Sequence, residues 1–477
     1  MKKILSVILV LVMVLGLFGC AAGGSGSSAS KGGWQVGYGR VNITPEESVP
    51  LKGYGNTWKR MSTGFLDYLY ATAVAFKDIN GEIFILMGMD SCTGGSTTTP
   101  IKEGIMKATG IPAENILTNV THSHSTPDFS QDKAPSSARY NTFYIQGCID
   151  AAVAAVEDLK PATIGYTTGK SDKLNFVRHV KLEDGNFKGD NFGHEHSAKP
   201  VEYMEQIDET IHLIKIDRGE EEKPIVLMSW RAHASITGGA SKPDISADFV
   251  GSTREYVEKQ LGCNFMYLQG CAGNVNPRSY ITEDDCTRDY KLFGQQLGGY
   301  VVKGLENELD MIEPCTIKSA VWKMVTVNVD HTTDHLAEQA KMVQEVYNQN
   351  LNNTEAKAAG APYGIYGNYH AIGILKRVKQ GATMQVKISG MVFGDQLAIV
   401  GGANELFSSI GVHVKEQSSI PNTIVLGYTD GQSGYMPVPY AYDILTYEAQ
   451  TTAYARDSSE KVEKALLELI EELKTPA

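Results

Sequence analysis

The sequence predicts an α/β fold, a single large domain in which mixed sheet or sheets are flanked by helices. Apolar, β-rich runs alternate with helical patterns along the chain, as in α/β domains. Some runs, such as 83–87, are apolar on both faces, which is typical of strands covered on both sides. Several runs end in loops that carry His, Asp, Asn or Glu. Because ligand sites in open α/β sheets lie at strand carboxyl ends, we expect the functional site there.

The first half of the folded chain alternates strand-like and helical patterns. Asn80-Gly81 separates two apolar runs, which is a hairpin signal. A later helical pattern has Pro100 in its first turn and Gly110 at its end. We therefore predict strands over 70–76, 82–89 and 115–120 and helices over 97–109 and 140–159.

The second half continues the same alternation. The patterns predict strands over 211–216, 225–230, 265–268, 396–400 and 423–427 and helices over 253–261 and 458–474. Residues 331–352 read as an isolated amphipathic helix, and the Ala/Gly/Tyr-rich stretch after it, as far as His370, has no clear period. We expect these two segments to form a peripheral, lid-like insertion.

The N-terminus has the features of a targeting segment. Lys2 and Lys3 precede an apolar run over 4–18 that is too short for an ordinary spanning helix. The run ends in Leu17-Phe18-Gly19-Cys20, which resembles the lipobox of bacterial lipoproteins. That resemblance implies a signal peptide over 1–19 and a lipid on Cys20. The Gly/Ser-rich composition predicts a flexible tether over 20–33, and we expect the folded domain over 34–477. The expected location is extracytoplasmic, lipid-anchored to the bacterial cell membrane.

Charge and cysteine content restrict the partners and the redox chemistry. A formal net charge of −12 argues against a general nucleic-acid binder. Six cysteines remain besides Cys20, without a Cys-x-x-Cys motif, so a thiolate zinc knuckle or a redox motif has no support. Disulfides and buried free thiols both remain open, and the sequence leaves the oligomeric state open as well.

Histidines follow the predicted strand over 115–120. His122 and His124 lie one residue apart beyond its end, and imidazole is the commonest protein ligand of zinc. The alternative is a Ser/Thr-rich turn with two solvated histidines. The ends of other strands add further polar groups: Asp90, His233, Asn274, Glu405 and Tyr435. Such a nitrogen- and oxygen-rich shell suits Zn²⁺ with an open position for water, a site that hydrolyses amides or esters.

Several sequence blocks occur together in a characteristic order. They are Gly37-Tyr38-Gly39-Arg40-Val41-Asn42-Ile43-Thr44-Pro45, Thr121-His122-Ser123-His124-Ser125, His233-Ala234-Ser235, Ile245-Ser246-Ala247-Asp248, Gly273-Asn274-Val275-Asn276-Pro277, the Glu405 block, Ser433-Gly434-Tyr435 and Thr446-Tyr447-Glu448-Ala449. In their order and spacing over about 35–455, the chain resembles the N-terminal catalytic domain of the neutral/alkaline (non-lysosomal) ceramidases.

The resemblance implies a role for each matching residue. One zinc ion per chain would be held by His122, His233, Glu405 and Tyr435, and its bound water would hydrolyse the amide of an N-acylated sphingolipid or a related amide. His124 and Tyr447 would be the catalytic acid/base and the carbonyl-orienting group. The residues that the resemblance implies for handling the substrate are Arg178, Asn274 and Asn276.

Two departures from the family pattern concern the substrate and the domain content. Asn276 stands where the ceramidases carry a serine, which puts ceramide itself in question. The sequence also ends after one terminal helical pattern, so we expect no C-terminal immunoglobulin-like domain.

Other interpretations are weighed against this one. No Gly-x-Ser-x-Gly elbow supports a serine hydrolase. A metal-dependent phosphoesterase would use the same residue types, and a surface lipoprotein that binds lipid or metal without catalysis is a further alternative. Asp90 either caps a turn or orients a ligand histidine. Two more histidine pairs, His194/His196 and His331/His335, are interpreted as solvated.

Overall fold

The structure is a computed structural model that describes residues 33–54, 60–129, 134–189, 200–237, 243–278 and 289–475. The expectations for the signal peptide, Cys20 and nearly all of the tether lie outside these residues, as do those for His194, His196 and Cys286. Within the described ranges, no helix is long and apolar enough to cross a membrane.

The strands are β1 (Trp34–Asn42), β2 (Gly64–Phe65), β3 (Tyr70–Lys77), β4 (Ile83–Met89), β5 (Ile116–Val120), β6 (Lys160–Lys170), β7 (Asn175–Val177), β8 (His179–Leu182), β9 (Phe187–Gly189), β10 (Pro200–Tyr203), β11 (Thr210–Asp217), β12 (Ile225–Trp230), β13 (Asp244–Ile245), β14 (Asn264–Gln269), β15 (Val275–Pro277), β16 (Asp310–Ile312), β17 (Ile317–Asn328), β18 (Thr383–Phe393), β19 (Leu397–Gly402), β20 (Glu405–Leu406), β21 (Asn422–Leu426) and β22 (Tyr435–Met436).

The α-helices are α1 (Thr98–Thr109), α2 (Pro135–Glu157), α3 (Phe249–Leu261), α4 (Tyr290–Gly304), α5 (Ala337–Asn350), α6 (Asn353–Gly360), α7 (Asn368–Arg377), α8 (Ser408–Gln417), α9 (Pro439–Asp443), α10 (Tyr447–Thr451) and α11 (Ser458–Leu473).

Two mixed sheets organise the described chain. The larger has the strand order β14-β12-β11-β6-β1-β3-β4-β5, with β16 also paired to β6. The smaller has the order β17-β18-β19-β21. Parallel pairing joins β4 to β5, β12 to β14 and β19 to β21, so three parallel pairs supply the carboxyl-end loops. The predicted mixed α/β architecture is confirmed.

Successive side chains of each strand point to opposite faces of its sheet. One face of each sheet packs against the other sheet, and the other face packs against helices. In β3, Ala71 and Ala73 pack with α1 and α2, whereas Val74 and Phe76 pack in the core shared with the small sheet. The small sheet repeats the pattern: alternate residues of β19 face the shared core or pack against α8 and α11. Helices α3 and α4 cover the helical face of the large sheet near β12 and β14. The order of layers is therefore helix, sheet, sheet, helix.

The insertion differs from its prediction. The stretch without a clear period contains α6 and the start of α7, which pack with α5 around a small core of their own. Helix α6 has only eight residues, which is too few to show a helical period, and the Asn352 side chain caps it by accepting a hydrogen bond from the Thr354 N–H. The helix predicted over 331–352 is present as α5, but it is not isolated, because it packs with α6 and α7 in a three-helix unit.

The cysteines of the described residues are free. They are all buried: Cys92, Cys148, Cys263, Cys271 and Cys315. Of the two possibilities left open, buried thiols apply to these five.

Candidate active site

The candidate site lies where the carboxyl ends of the three parallel pairs meet. Asn119, near the end of β5, joins them: its side-chain amide donates to the carbonyls of Gly427, 2.7 Å away, and Gln269, and its oxygen accepts from the Gln269 N–H at 2.7 Å. Gln269 in turn donates to the carbonyls of Thr121 and Ala232, each at 2.8 Å. These two buried amides fix the loops that carry the site histidines.

His122 and His233 are each oriented by a backbone carbonyl. His122 Nδ1 lies 2.7 Å from the Cys92 carbonyl oxygen, and His233 Nδ1 lies 3.2 Å from that of Val275. A carbonyl only accepts, so Nδ1 carries the proton in both rings and Nε2 keeps its lone pair. Both rings are thereby oriented as metal-ligating histidines usually are.

Glu405 lies between the two histidines. Its Oε2 is 3.4 Å from His122 Nε2 and 3.4 Å from His233 Nε2. Burial raises the pKa of the Glu405 carboxyl, but the neighbouring histidines and Arg178 outweigh it, so the pKa is lowered overall. Burial lowers the pKa of His122 to about 4. At neutral pH the pair is therefore a carboxylate beside a neutral imidazole.

Tyr435 and Tyr428 enclose this group. Tyr435 pairs with Glu405 across the parallel β20–β22 bridge, and its ring stacks on that of His233 at 6.4 Å between centroids. Tyr428 stacks on His122 at 4.3 Å, and its hydroxyl lies 3.5 Å from Glu405 Oε2. Tyr435 thus adjoins His233 through its ring and Glu405 through the strand pairing, and its role as a ligand stays a prediction.

His124 lies against the rings of both His122 and His233. Its Nε2 lies 3.2 Å from His122 Nε2, and Tyr54 packs edge-on against its ring. His124 Nδ1 is buried without a hydrogen-bond partner, and burial lowers the pKa of this histidine. His124 is therefore neutral at neutral pH and lies within hydrogen-bond distance of His122.

The predicted substrate-handling residues are buried around the ligand candidates. The Asn274 side chain accepts from the Ser408 N–H at 2.9 Å and donates to the Tyr440 hydroxyl at 3.3 Å. Arg178 Nη1 donates to Asn276 Oδ1 at 3.3 Å. The structure thus shows structural contacts for all three, and their substrate contacts stay predictions.

Tyr447 contacts a ligand candidate, whereas the contacts of Asp90 are structural. The Tyr447 ring meets that of Tyr435 edge-on, with centroids 5.8 Å apart. Burial raises the pKa of the Tyr447 phenol, so it is a proton donor at neutral pH. Asp90 instead forms a buried ion pair with Arg254 at 2.7 Å and accepts from the Tyr70 N–H. Asp90 therefore joins the end of β4 to α3. In its contacts with the described residues it neither caps a turn nor orients a ligand histidine.

The residues fit a metal ion. One oxygen and two nitrogens of His122, His233 and Glu405 converge, and all three residues are buried. The His233 Nε2 makes no hydrogen bond although it is buried. Tetrahedral ligands at zinc–ligand distances near 2.05 Å are separated by about 3.3 Å, close to the two 3.4 Å separations here. A second group, Cys92, His122 and His124, also has its possible ligand atoms within 4.8 Å of one another, and it shares His122.

Sequence reasoning missed three contributors. Tyr428 and the Cys92 carbonyl support His122, and Glu448 forms an ion pair with Arg178. Tyr428 follows β21 directly, so its position just beyond a strand end was the available signal. A backbone carbonyl leaves no signal in a sequence.

Comparison with known proteins identifies the family of the chain. The family profile described as neutral/alkaline non-lysosomal ceramidase, N-terminal, matches residues 34–274, just over half of the chain. No curated protein sequence matches the chain.

Solved structures resemble the whole fold. The neutral ceramidase from Pseudomonas aeruginosa superposes with a TM-score of 0.69 at 15% identity, covering 93% of this chain and 76% of that one. A ceramidase complexed with C2 gives 0.67 at 14% identity, with the same shares covered. At these identities the likeness establishes the fold.

Proposed function

Because the chain belongs to the neutral/alkaline non-lysosomal ceramidase family, we propose that it is a zinc-dependent amidohydrolase that cleaves an N-acylated sphingolipid or a related lipid amide. The observation that carries the proposal is the convergence of His122 Nε2 and His233 Nε2 on one oxygen of Glu405, inside a buried site with an unpartnered nitrogen. Family membership supports the hydrolase class; the metal and its ligands are our inference.

His122, His233 and Glu405 would hold the zinc ion, and Tyr435 would complete the set. A zinc ion in such a site supplies Lewis acidity and lowers the pKa of a bound water. The carbonyl hydrogen bonds to both Nδ1 atoms keep the two imidazoles in the tautomer that such a role needs.

His124 and Tyr447 would handle the proton and the carbonyl oxygen. His124, neutral and buried beside His122, accepts a proton from the attacking water and passes it to the leaving amine. Tyr447 keeps its phenolic proton and donates a hydrogen bond to the carbonyl oxygen as negative charge develops there.

The family supports the proposed substrate class, and the sequence alone supports the proposed location. Asn276 stands in the family's serine position and accepts a hydrogen bond from Arg178. Because of this departure from the family pattern, the proposal includes lipid amides related to ceramide. The lipobox-like segment supports attachment to the membrane through Cys20, outside the cytoplasm.

A substrate panel tests the proposal. The purified chain is incubated with a fluorogenic N-acylsphingosine, other N-acyl lipid amides and a fluorogenic phosphodiester, with and without a chelator. We expect amide cleavage that the chelator abolishes and added Zn²⁺ restores. Cleavage of the phosphodiester alone would establish a phosphoesterase, and bound zinc without any turnover would establish a binding protein.

A further inference from the structure

Glu448 is a fully buried carboxylate beside the candidate site, on the short helix α10. Its Oε1 accepts from Arg178 Nε at 2.7 Å and also from Arg178 Nη2. Its Oε2 lies 2.9 Å from His179 Nε2. An ion pair without exposure to water gives up the hydration of both groups, so its presence beside a site favours a role there besides stability.

Arg178 connects this carboxylate to the ligand candidates. The guanidinium carbon lies 5.7 Å from the centre of the Tyr435 ring. Its Nη2 donates to the Gly273 carbonyl at 3.0 Å and its Nη1 to Asn276 at 3.3 Å. The planar fork is thus fixed on one side by Glu448 and on the other by the 273–276 loop. The side chain presents its charge to the Tyr435 phenol.

A second chain of contacts leads from Glu448 to the same loop. His179 Nδ1 lies 2.8 Å from the Tyr440 hydroxyl, which accepts from the Asn274 amide at 3.3 Å. Asn274 also caps the start of α8 through the Ser408 N–H, just after the strand that carries Glu405. The Glu448 carboxylate therefore holds Arg178 directly. Through His179 and Tyr440 it also contacts Asn274, in the loop beside Glu405.

We propose that Glu448 is a positioning residue of the metal site, which holds Arg178 against Tyr435 and thereby fixes the phenol that completes the ligand set. This inference rests on the proposed function, because it assumes that Tyr435 is a ligand. Residues that orient metal ligands typically change metal affinity by 10–100-fold when they are replaced.

The zinc affinity of the full chain, measured by competition with a chromophoric chelator, tests the inference without any activity assay. Glu448→Gln keeps the shape and removes the charge, and we expect affinity to fall 10–100-fold. The matched control is Asp208→Asn, which removes another buried carboxylate, one paired with Arg231 and Lys415. The control should lose stability and keep its zinc affinity within about 2-fold of wild type.

Two further variants test whether Glu448 acts on the metal site through Arg178 and Tyr435. In a Tyr435→Phe background, Glu448→Gln should cause no further loss of affinity, because the group that Glu448 positions is gone. Arg178→Lys keeps a buried cation but lacks the planar fork, and it should weaken zinc binding as Glu448→Gln does.

Unchanged affinity in Glu448→Gln, or a full additive loss in the Tyr435→Phe background, would overturn the inference. Wild-type protein that binds no zinc would instead overturn the proposed function, so the two failures are distinguishable.

Discussion

At the scale of single residues, His122 is held in an unusual conformation. Its φ of 59° lies in the left-handed region that non-glycine residues seldom adopt. Three contacts hold it there: its N–H donates to the Ser91 carbonyl at 2.9 Å, its Nδ1 donates to the Cys92 carbonyl, and its ring stacks on Tyr428. Strain that is over-determined in this way is typical of functional positions.

Replacing His124 separates a proton-transfer residue from a ligand. If His124 moves the proton, His124→Asn should keep zinc at wild-type stoichiometry and lower kcat by about 10²–10⁴-fold. Metal analysis and steady-state kinetics measure the two effects. His331→Asn, which changes an exposed histidine, is the control and should alter neither. Loss of zinc in His124→Asn would contradict this role and make the residue a ligand.

At the scale of elements, Gly273 determines how closely β20 approaches the loop after β14. A Cβ at this position would lie 2.4 Å from the Glu405 carbonyl oxygen and 2.9 Å from that of Leu406. The Gly273 N–H donates to the Leu406 carbonyl at 2.8 Å, so the two backbones are hydrogen-bonded as well as packed. Any side chain here must displace the strand that carries Glu405.

Gly273→Ala should therefore weaken zinc binding and lower the melting temperature, because backbone atoms have to move. Gly299, within α4, has open space where a methyl group would lie, with no neighbouring atom within 4 Å, and Gly299→Ala is the control. The control should be neutral or more stable by about 0.5–1 kcal/mol, since alanine favours a helix interior. Zinc affinity and thermal unfolding report both effects. Equal behaviour of the two variants would refute this role of Gly273.

Asp208 joins α8 to the large sheet and makes stability depend on pH. Burial raises the pKa of its carboxyl, but Arg231 and Lys415 outweigh this and hold the pKa well below its usual range. A carboxyl with a depressed folded-state pKa stabilises the protein above its unfolded-state pKa, near 3.9. That stabilisation is lost as the pH falls below this value toward the folded-state pKa.

We expect Asp208→Asn to lower the free energy of unfolding by about 3 kcal/mol at pH 6, because the buried Arg231 and the half-buried Lys415 lose their partner. The difference from wild type should shrink as the pH falls from about 4 toward 2, because the Asp208 carboxyl of the unfolded wild-type chain takes up a proton in this range while that of the folded chain stays ionised. Urea unfolding at a series of pH values measures it. A difference that stays constant from pH 6 to pH 2 would contradict the account.

At the scale of the whole molecule, the face-to-face sheets create the site. The His122 and His233 loops leave the large sheet, whereas Glu405 and Tyr428 follow strands of the small sheet. Isolated bridges between Asn119 and Thr429 and between Gly270 and Leu426 join the strand ends of the two sheets. A ligand set drawn from both sheets therefore depends on their packing.

Local pattern was sufficient for much of this arrangement. Strand β12 was predicted over its full length and α1 to within one residue, because Gly110 and the apolar periodicity mark their limits. Strands β17 and β18 were missed. Most residues of β17 are partly or fully exposed, and both of its faces mix polar and apolar side chains, so the strand has no clear alternation. Its partner β18 also lies more than 50 residues away along the chain.

The sequence predicted the ligand candidates of the site but not the residues that hold them in place. His122, His233, Glu405 and Tyr435 follow strand ends and match a family pattern, and the structure brings them together. The Glu448–Arg178 pair joins residues 270 positions apart, and no local pattern relates them. Long-range ion pairs of this kind emerge only from the packed fold.

The most direct test of the central claim is the zinc content of the purified chain, compared between wild type and His233→Ala, with amide hydrolysis measured on the same samples. We expect one zinc ion per wild-type chain, little or none in the variant, and loss of N-acylsphingolipid cleavage together with the metal. A wild-type chain without zinc, or a His233→Ala chain that retains both zinc and activity, would contradict that claim.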